Sequence, residues 1–328
     1  MAPAPASVIL GPSSDLTPAI GTVFGPNTQL TDLLGNDEAV AALAKLVSER
    51  GVLFFERQGI TLAQQKELML RLGALSSPPR PNGSGLHVHP ISEDSPELGA
   101  DTSVISSAGG IARAGYVKNA RASGGWHSDI SFENYPSDYT MLKMHTIPTT
   151  GGDTLWASGY EAYDRLSPAY QKFLEGLTAE HDGNFFHRTA KLENKKIQSP
   201  RGHIENSGED LRSVHPVIRT HPVTGWKTVF LNKTFTTRIL ELAPAESESV
   251  IDYLTRHVSE NHDLQVRYRW QQNDVALWDN RCTFHTATND YGSAPREGFR
   301  VVGVGEKPYF DKEGSKSRAE SLAGSAGL

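Results

Sequence analysis

The sequence predicts an α+β protein built on a double-stranded β-helix (jelly-roll, cupin-type) core with flanking helices. Three observations point there. Short strand-like runs separated by turn residues recur along the chain. A few amphipathic helices, with identifiable starts and stops, lie outside those runs. The last quarter is β-rich, with strands expected at Leu264–Trp270, Asp274–Trp278 and Phe299–Gly305.

Taken in order, residues 1–15 are rich in Pro, Ala and Ser and read as a flexible tail. A helix is expected over Glu38–Arg50, with Val40, Leu43 and Val47 on one face and Gly51 as its stop. Val52–Glu56 reads as a short buried strand. Thr61 and Gln64 form a capping box for a helix to about Leu72, closed by Gly73. Residues 74–125 are dense in Gly, Pro and Ser; they read as loop around a strand at Thr102–Ser106, and so long a loop ahead of a site fits a lid. Tyr139–Thr146 reads as a strand, Thr149–Gly152 as a turn, and Ser167-Pro168 as the N-cap and first residue of a helix to about Leu174. Residues 188–213 are polar and read as a surface excursion. Lys227–Asn232 is an expected strand and Pro244–Val258 an amphipathic helix. Residues 312–328, rich in Lys, Ser, Gly and Ala, read as a second flexible tail, leaving 16–311 as a single domain.

Composition narrows the function classes. The chain has 328 residues, 38% hydrophobic and 21% charged, which is ordinary for a globular protein with a sizeable core. A net charge of −6 and the lack of a basic tract argue against a nucleic-acid binder. No run approaches the roughly 18 apolar residues of a membrane span, and the N-terminus lacks the pattern of a signal peptide. The one cysteine, Cys282, excludes an internal disulfide framework and suits a reducing compartment, so a cytoplasmic location is expected.

The stretch with most chemistry is Trp126-His-Ser-Asp-Ile-Ser-Phe132. Read as a half-buried strand, it puts His127 and Asp129 on one face, where an imidazole and a carboxylate can hold two corners of a metal ion. A second His would complete the 2-His-1-carboxylate set of non-heme Fe(II) oxygenases. Among 12 histidines a His-x-acid pair arises by chance about once, and His203-Ile-Glu205 is a second case. That pair lies among Pro200, Gly202, Asn206 and Gly208, a loop poorly suited to pre-organise a site.

For the third ligand, His257 and His262 sit at and after a helix end, where solvation is the usual fate of a His. His215 and His221 each precede a proline in an expected turn, and His145 is close in sequence to His127. His285, after the apolar run Val275–Phe284, is the best choice. Downstream, Arg296 and Arg300 are separated by an even number, so one strand presents both on one face. A guanidinium fork suits a dicarboxylate or a sulfonate because it binds paired oxygens and keeps its charge.

With Thr150-Gly-Gly-Asp-Thr-Leu-Trp156, Phe235-Thr-Thr-Arg-Ile239 and Trp278-Asp-Asn-Arg281…His285…Arg296…Arg300, the chain closely resembles the taurine dioxygenase family of Fe(II)/2-oxoglutarate oxygenases, from about Val52 to Phe310. The resemblance implies Fe(II) on His127, Asp129 and His285, with O₂ and 2-oxoglutarate as co-substrates. It implies that Thr154 and Arg296 hold the distal carboxylate of 2-oxoglutarate. Arg300 would receive the anionic group of the prime substrate, His89 would touch that substrate, and Phe235 would wall the pocket. The implied reaction converts 2-oxoglutarate and O₂ to succinate and CO₂ while hydroxylating the substrate. A sulfonate hydroxylated on its sulfur-bearing carbon then collapses to an aldehyde and sulfite.

Four positions depart from taurine-specific members: Ser92 replaces a Tyr, Ser123 an Asn, and Phe186-His187 a Ser-Phe pair. The expectation is therefore a small anionic organic substrate, first an organosulfonate and alternatively a carboxylate or secondary-metabolite intermediate. A cupin-like protein that only holds a metal or anion is the alternative from another class. Relatives imply a homo-oligomer, a dimer or tetramer.

Overall fold

Apolar runs without alternation, such as Val52-Leu-Phe-Phe55, arise where a sheet is buried on both faces. The computed structural model, which describes residues 9–76, 85–92, 96–113 and 121–326, shows that arrangement. In chain order the first elements are β1 (Ser13–Asp15), β2 (Thr22–Phe24), α1 (Asp37–Arg50), β3 (Val52–Phe55), α2 (Leu62–Ser76), β4 (Thr102–Ser106) and β5 (Ser137–Thr146). There follow β6 (Thr154–Ser158), α3 (Gly159–Asp164), α4 (Pro168–Leu174), β7 (Thr178–Asp182), α5 (Phe185–Leu192), β8 (Arg212–Pro216), β9 (Ile218–Thr220) and β10 (Lys227–Val229). The chain ends with β11 (Thr236–Ile239), α6 (Pro244–Ser259), β12 (Gln265–Tyr268), β13 (Val275–Asp279), β14 (Thr283–Ala287), β15 (Glu297–Val304) and α7 (Arg318–Ala326).

A seven-stranded sheet runs β1-β2-β3-β13-β5-β15-β4, antiparallel except for β2 and β3. Its residues sort by parity. Leu53, Phe55, Met141, Leu277 and Val301 face α1 and α2, against Val40, Leu43, Val47, Leu68 and Leu72. Val52, Phe54, Leu142, Met144, Ala276 and Trp278 face the other way and pack on Trp156, Val266 and Trp270 of the smaller sheet β12-β6-β14. Mixed sheets with packed helices are thus the architecture. Two smaller sheets, β11-β7-β8 and β10-β9, cover a further core with α6.

The inner face of the large sheet carries the site. Register places Thr140 of β5 beside Trp278 on one side and Val302 on the other. One step along, Leu142 lies beside Ala276 and Arg300.

Caps follow the sequence closely. Gly51, at φ 74°, ends α1; Thr61 and Gln64 exchange hydrogen bonds at the head of α2; the Ser167 hydroxyl accepts from Tyr170 N–H at α4. Several expectations are corrected. Helix α2 does not stop at Gly73 but runs on to Ser76, because Gly73 is buried in its interior. Trp126–Phe132 is not a strand: His127 makes one isolated bridge and the chain then turns.

The C-terminal segment is not a loose tail. Lys316 pairs with Trp226, Ser317 and Glu320 form a capping box, and Arg318 bonds Glu161 at 2.7 Å. Within 1–15, residues 1–8 lie outside the described residues, while Leu10 is buried and β1 pairs with β2. The excursion 188–213 is anchored by Arg201 and Leu211, both buried; His215 lies in β8 rather than a turn, His221 leads into the expected turn, and both are buried. Of the expected lid, 77–84, 93–95 and 114–120 lie outside the described residues. No helix among the described residues is long and apolar enough to cross a membrane.

Candidate metal centre

His127 and His285 are brought opposite each other by a single β-bridge in which their backbones exchange hydrogen bonds of 3.0 and 2.8 Å. Their rings lie 4.3 Å apart. After the bridge the chain turns through Ile130 at φ 49°, an uncommon conformation for a β-branched residue that costs on the order of 1–2 kcal/mol. Burial of Ile130 against an apolar cluster holds it there. The turn carries the Asp129 carboxylate back between the imidazoles, its Oδ1 3.9 Å from His127 Nε2 and 3.8 Å from His285 Nε2. One ligating atom from each residue falls within 4.8 Å of the others. A turn, not the strand face that period-two spacing predicts, therefore aims Asp129.

The pair is fixed from below. Asn280 Oδ1 accepts from the Asp129 N–H at 3.0 Å and from Trp278 Nε1 at 3.1 Å. The Asn280 amide donates to the hydroxyls of Ser137 and Thr140, and Thr140 donates to Asp129 Oδ2 at 3.1 Å. Ser128 Oγ donates to the Thr283 carbonyl at 2.7 Å, tying the turn to β14. Asn280 and Thr140 were missed as site residues. Asn280 lies inside the Trp278–Arg281 motif, where nothing local in the sequence marks its role.

Protonation states suit metal binding. Burial pushes His127 below the usual histidine range, and burial with the neighbouring His127 brings His285 down to about 3. Both rings are then neutral near pH 7, and the bond from His127 Nδ1 to the Gly125 carbonyl, at 2.8 Å, leaves Nε2 free to ligate. Burial alone would raise Asp129, but Arg300, then the two histidines and Thr140, hold it below the ordinary carboxylate range. Two neutral imidazoles and one ionised carboxylate are a donor set that fits Fe(II).

Arg296 precedes β15 and is buried. Its Nε donates to the Gly152 carbonyl at 2.9 Å and a terminal nitrogen to Thr154 Oγ1 at 3.3 Å. Thr154 Oγ1 also accepts from Trp270 Nε1 at 3.0 Å. Gly152 is required here: it sits at φ 72°, and a Cβ would stand 3.0 Å from Arg296 Cδ. Among the described residues no carboxylate bonds Arg296, so a buried cation rests on neutral acceptors, which is costly without an anion. Arg300 instead donates to Asp129 Oδ1 at 2.6 Å, and its Nε has no hydrogen-bond partner among the described residues.

The other expected residues divide. His89, buried, meets the Phe186 ring edge-on at 4.6 Å; Phe186 contacts Phe132 and Phe235, and Phe235 lies 6.0 Å from His127. Ser92 is buried, with its hydroxyl unpartnered among the described residues. Ser123 is exposed on the single turn Ala122–Gly125, and His187 is engaged with its Nε2 donating to the Glu209 carbonyl at 2.7 Å. Arg201 and Glu133 form a buried two-pronged ion pair at 2.5 and 2.9 Å, with His87 on Glu133 at 3.0 Å. Arg201 arrives from a long loop, and nothing local in the sequence marked it.

Two further groups carry no metal-site reading. His203 stacks on Tyr135 at the surface while Glu205 is exposed. His221, Asp279 and Cys282 also lie together, but the Asp279 oxygens are engaged by Arg281, Ser48 and His221, which makes that cluster a structural ion network.

Comparison with known proteins places these features in context. Residues 12–302 match the family model described as taurine catabolism dioxygenase TauD, TfdA family. The alpha-ketoglutarate-dependent dioxygenase oryG of Aspergillus oryzae is 44% identical over 96% of this chain and 93% of its own length. An alpha-ketoglutarate-dependent sulfonate dioxygenase of Saccharomyces cerevisiae is 35% identical over 90% of this chain and 67% of its own. The crystal structure of a taurine dioxygenase from Burkholderia xenovorans superposes with a TM-score of 0.71 at 25% identity, covering 95% of this chain and 97% of that one.

Proposed function

Because the chain belongs to the taurine catabolism dioxygenase TauD, TfdA family and is an Fe(II)- and 2-oxoglutarate-dependent dioxygenase using O₂, we propose that it hydroxylates a small organic anion, with an organosulfonate as first candidate. The observation that carries this reading is the convergence of His127, Asp129 and His285 beside two buried arginines with separate surroundings. The sheets packed around that point also support a double-stranded β-helix core.

His127, Asp129 and His285 would hold the iron. When bound, the iron supplies the redox chemistry that couples conversion of 2-oxoglutarate and O₂ to succinate and CO₂ with hydroxylation of the prime substrate. The residues supply orientation. Arg296, steadied by Gly152 and Thr154, would clamp the distal carboxylate of 2-oxoglutarate and so set which way the co-substrate points. Arg300 would take the substrate's anionic head, with its Nε unpartnered among the described residues and His89 close by. Phe235, Phe186 and Phe132 keep water from the reacting carbon. With a sulfonate, hydroxylation of the sulfur-bearing carbon yields an aldehyde and sulfite.

A carboxylate or secondary-metabolite intermediate is the second reading. It is favoured by the fork geometry of Arg300, which suits carboxylate oxygens as well, and by the name of the 44% identical relative, which specifies no sulfonate. The test is succinate release with Fe(II), 2-oxoglutarate and O₂ across paired sulfonates and carboxylates. Sulfite released in proportion to succinate supports the first reading. Stimulation by carboxylates alone supports the second, and stimulation by neither class overturns both.

A further inference from the structure

Resting on that reading, we propose that the prime substrate is an organic anion with an apolar alkyl or aryl body and no ammonium group. Arg300 takes its head, and its body lies along Phe235, Phe185 and Phe186.

The first support is strand parity. Arg300 and Val302 are two apart on β15 and share its inner face, and Val302 packs with Ile91, Ile130, Phe132, Phe186 and Phe235. The guanidinium therefore stands at the edge of apolar ground. The second is where the site opens. The His127 side chain is 26% exposed and that of His285 10%, so access is on the His127 side. There the Phe235 ring stands 6.0 Å from His127, and Phe185 stacks on Phe235 at 5.8 Å while remaining 38% exposed. A lone exposed Phe is ordinary on a protein surface, but these rings touch one another at the accessible edge of the site.

The third is charge. Among the described residues, the buried carboxylates flanking this ground are committed: Asp129 to Arg300 and the metal position, Glu133 to Arg201 and His87. An ammonium would find neither free, and the Arg300 charge opposes it. His89, held well below the usual histidine range by burial and then by Arg300, is neutral near pH 7 and offers no charge to an ammonium.

An isosteric pair tests this, since propane-1-sulfonate carries a methyl where taurine carries its ammonium. Both are titrated calorimetrically into protein loaded with Mn(II) and N-oxalylglycine, which supports no turnover, followed by butane- and hexanesulfonate and by hexanoate. Propane-1-sulfonate is expected to bind at least tenfold more tightly than taurine. Affinity should then rise by roughly two- to fourfold per added methylene, as for burial of CH₂. Hexanoate following the same trend extends the class to carboxylates, and sulfonates alone restrict it. Phe185→Ala, at a half-exposed position, should flatten the chain-length series, and Phe235→Leu provides a second variant that keeps the core filled. Taurine binding as tightly as propane-1-sulfonate, or a flat series in the unaltered protein, overturns the proposal while leaving the broader functional reading standing. Failure of every anion to bind or to release succinate overturns that reading as well.

Discussion

Replacing Arg296 by Ala should weaken 2-oxoglutarate binding without weakening the fold. Among the described residues the buried guanidinium is bonded to the Gly152 carbonyl and the Thr154 hydroxyl and to no carboxylate, which leaves its fork for an incoming anion. A fork to a carboxylate makes two charge-assisted bonds, each worth about 1.5–3 kcal/mol. Water entering the vacated space returns part of that, leaving a loss of about 2–4 kcal/mol, or roughly 30- to 1,000-fold in dissociation constant. The metal-free protein should lose little stability, because the change also removes a buried charge that no carboxylate bonds among the described residues. Anaerobic calorimetry of 2-oxoglutarate with the Mn(II)-loaded protein reads the first effect and thermal unfolding the second. Arg296→Lys, which keeps the charge but not the fork, should fall between. A loss under threefold would refute the reasoning. So would an equal loss of 2-oxoglutarate affinity in Arg300→Ala, since the two arginines would then not divide the work.

Two other outcomes are expected. Asn280→Ala removes the acceptor for the Asp129 N–H and Trp278 Nε1–H and the donor to Thr140. Stranding those buried groups should cost about 3–5 kcal/mol in urea denaturation and weaken metal binding; a loss under 1 kcal/mol would show that Asn280 holds nothing in place. Acid should destabilise the protein well before its carboxylates titrate. Burial brings His181 down to about 3, so between pH 6.5 and 3 the unfolded chain binds a proton there that the folded chain does not. Stability from this group is full above pH 6.5 and falls by about 1.4 kcal/mol per pH unit toward pH 3. His181→Gln should flatten that slope in urea midpoints measured against pH, and an unchanged slope would assign the acid sensitivity elsewhere.

The sequence by itself determined a good deal. Capping residues set α1 and α4, and the box Thr61–Gln64 started α2, because caps act within a few residues of chain. Continuous apolar runs in β3 and β13 reported burial on both faces. His285, Arg296 and Arg300 could be placed near His127 and Asp129 because their residue types announce their chemistry. What only the tertiary structure decided is how those side chains are aimed. Asp129 reaches the two imidazoles through a turn at Ile130 stabilised by Thr140 of β5 and by Asn280 just after β13, and His187 is tied to the Glu209 carbonyl. Arg201 and the C-terminal helix find partners far along the chain, from segments whose composition reads as loop. Local periodicity encodes which face is buried, whereas the partner met across that face depends on contacts between distant segments. For the site at Trp126–Phe132, the residue types gave the chemistry and the fold gave its aim.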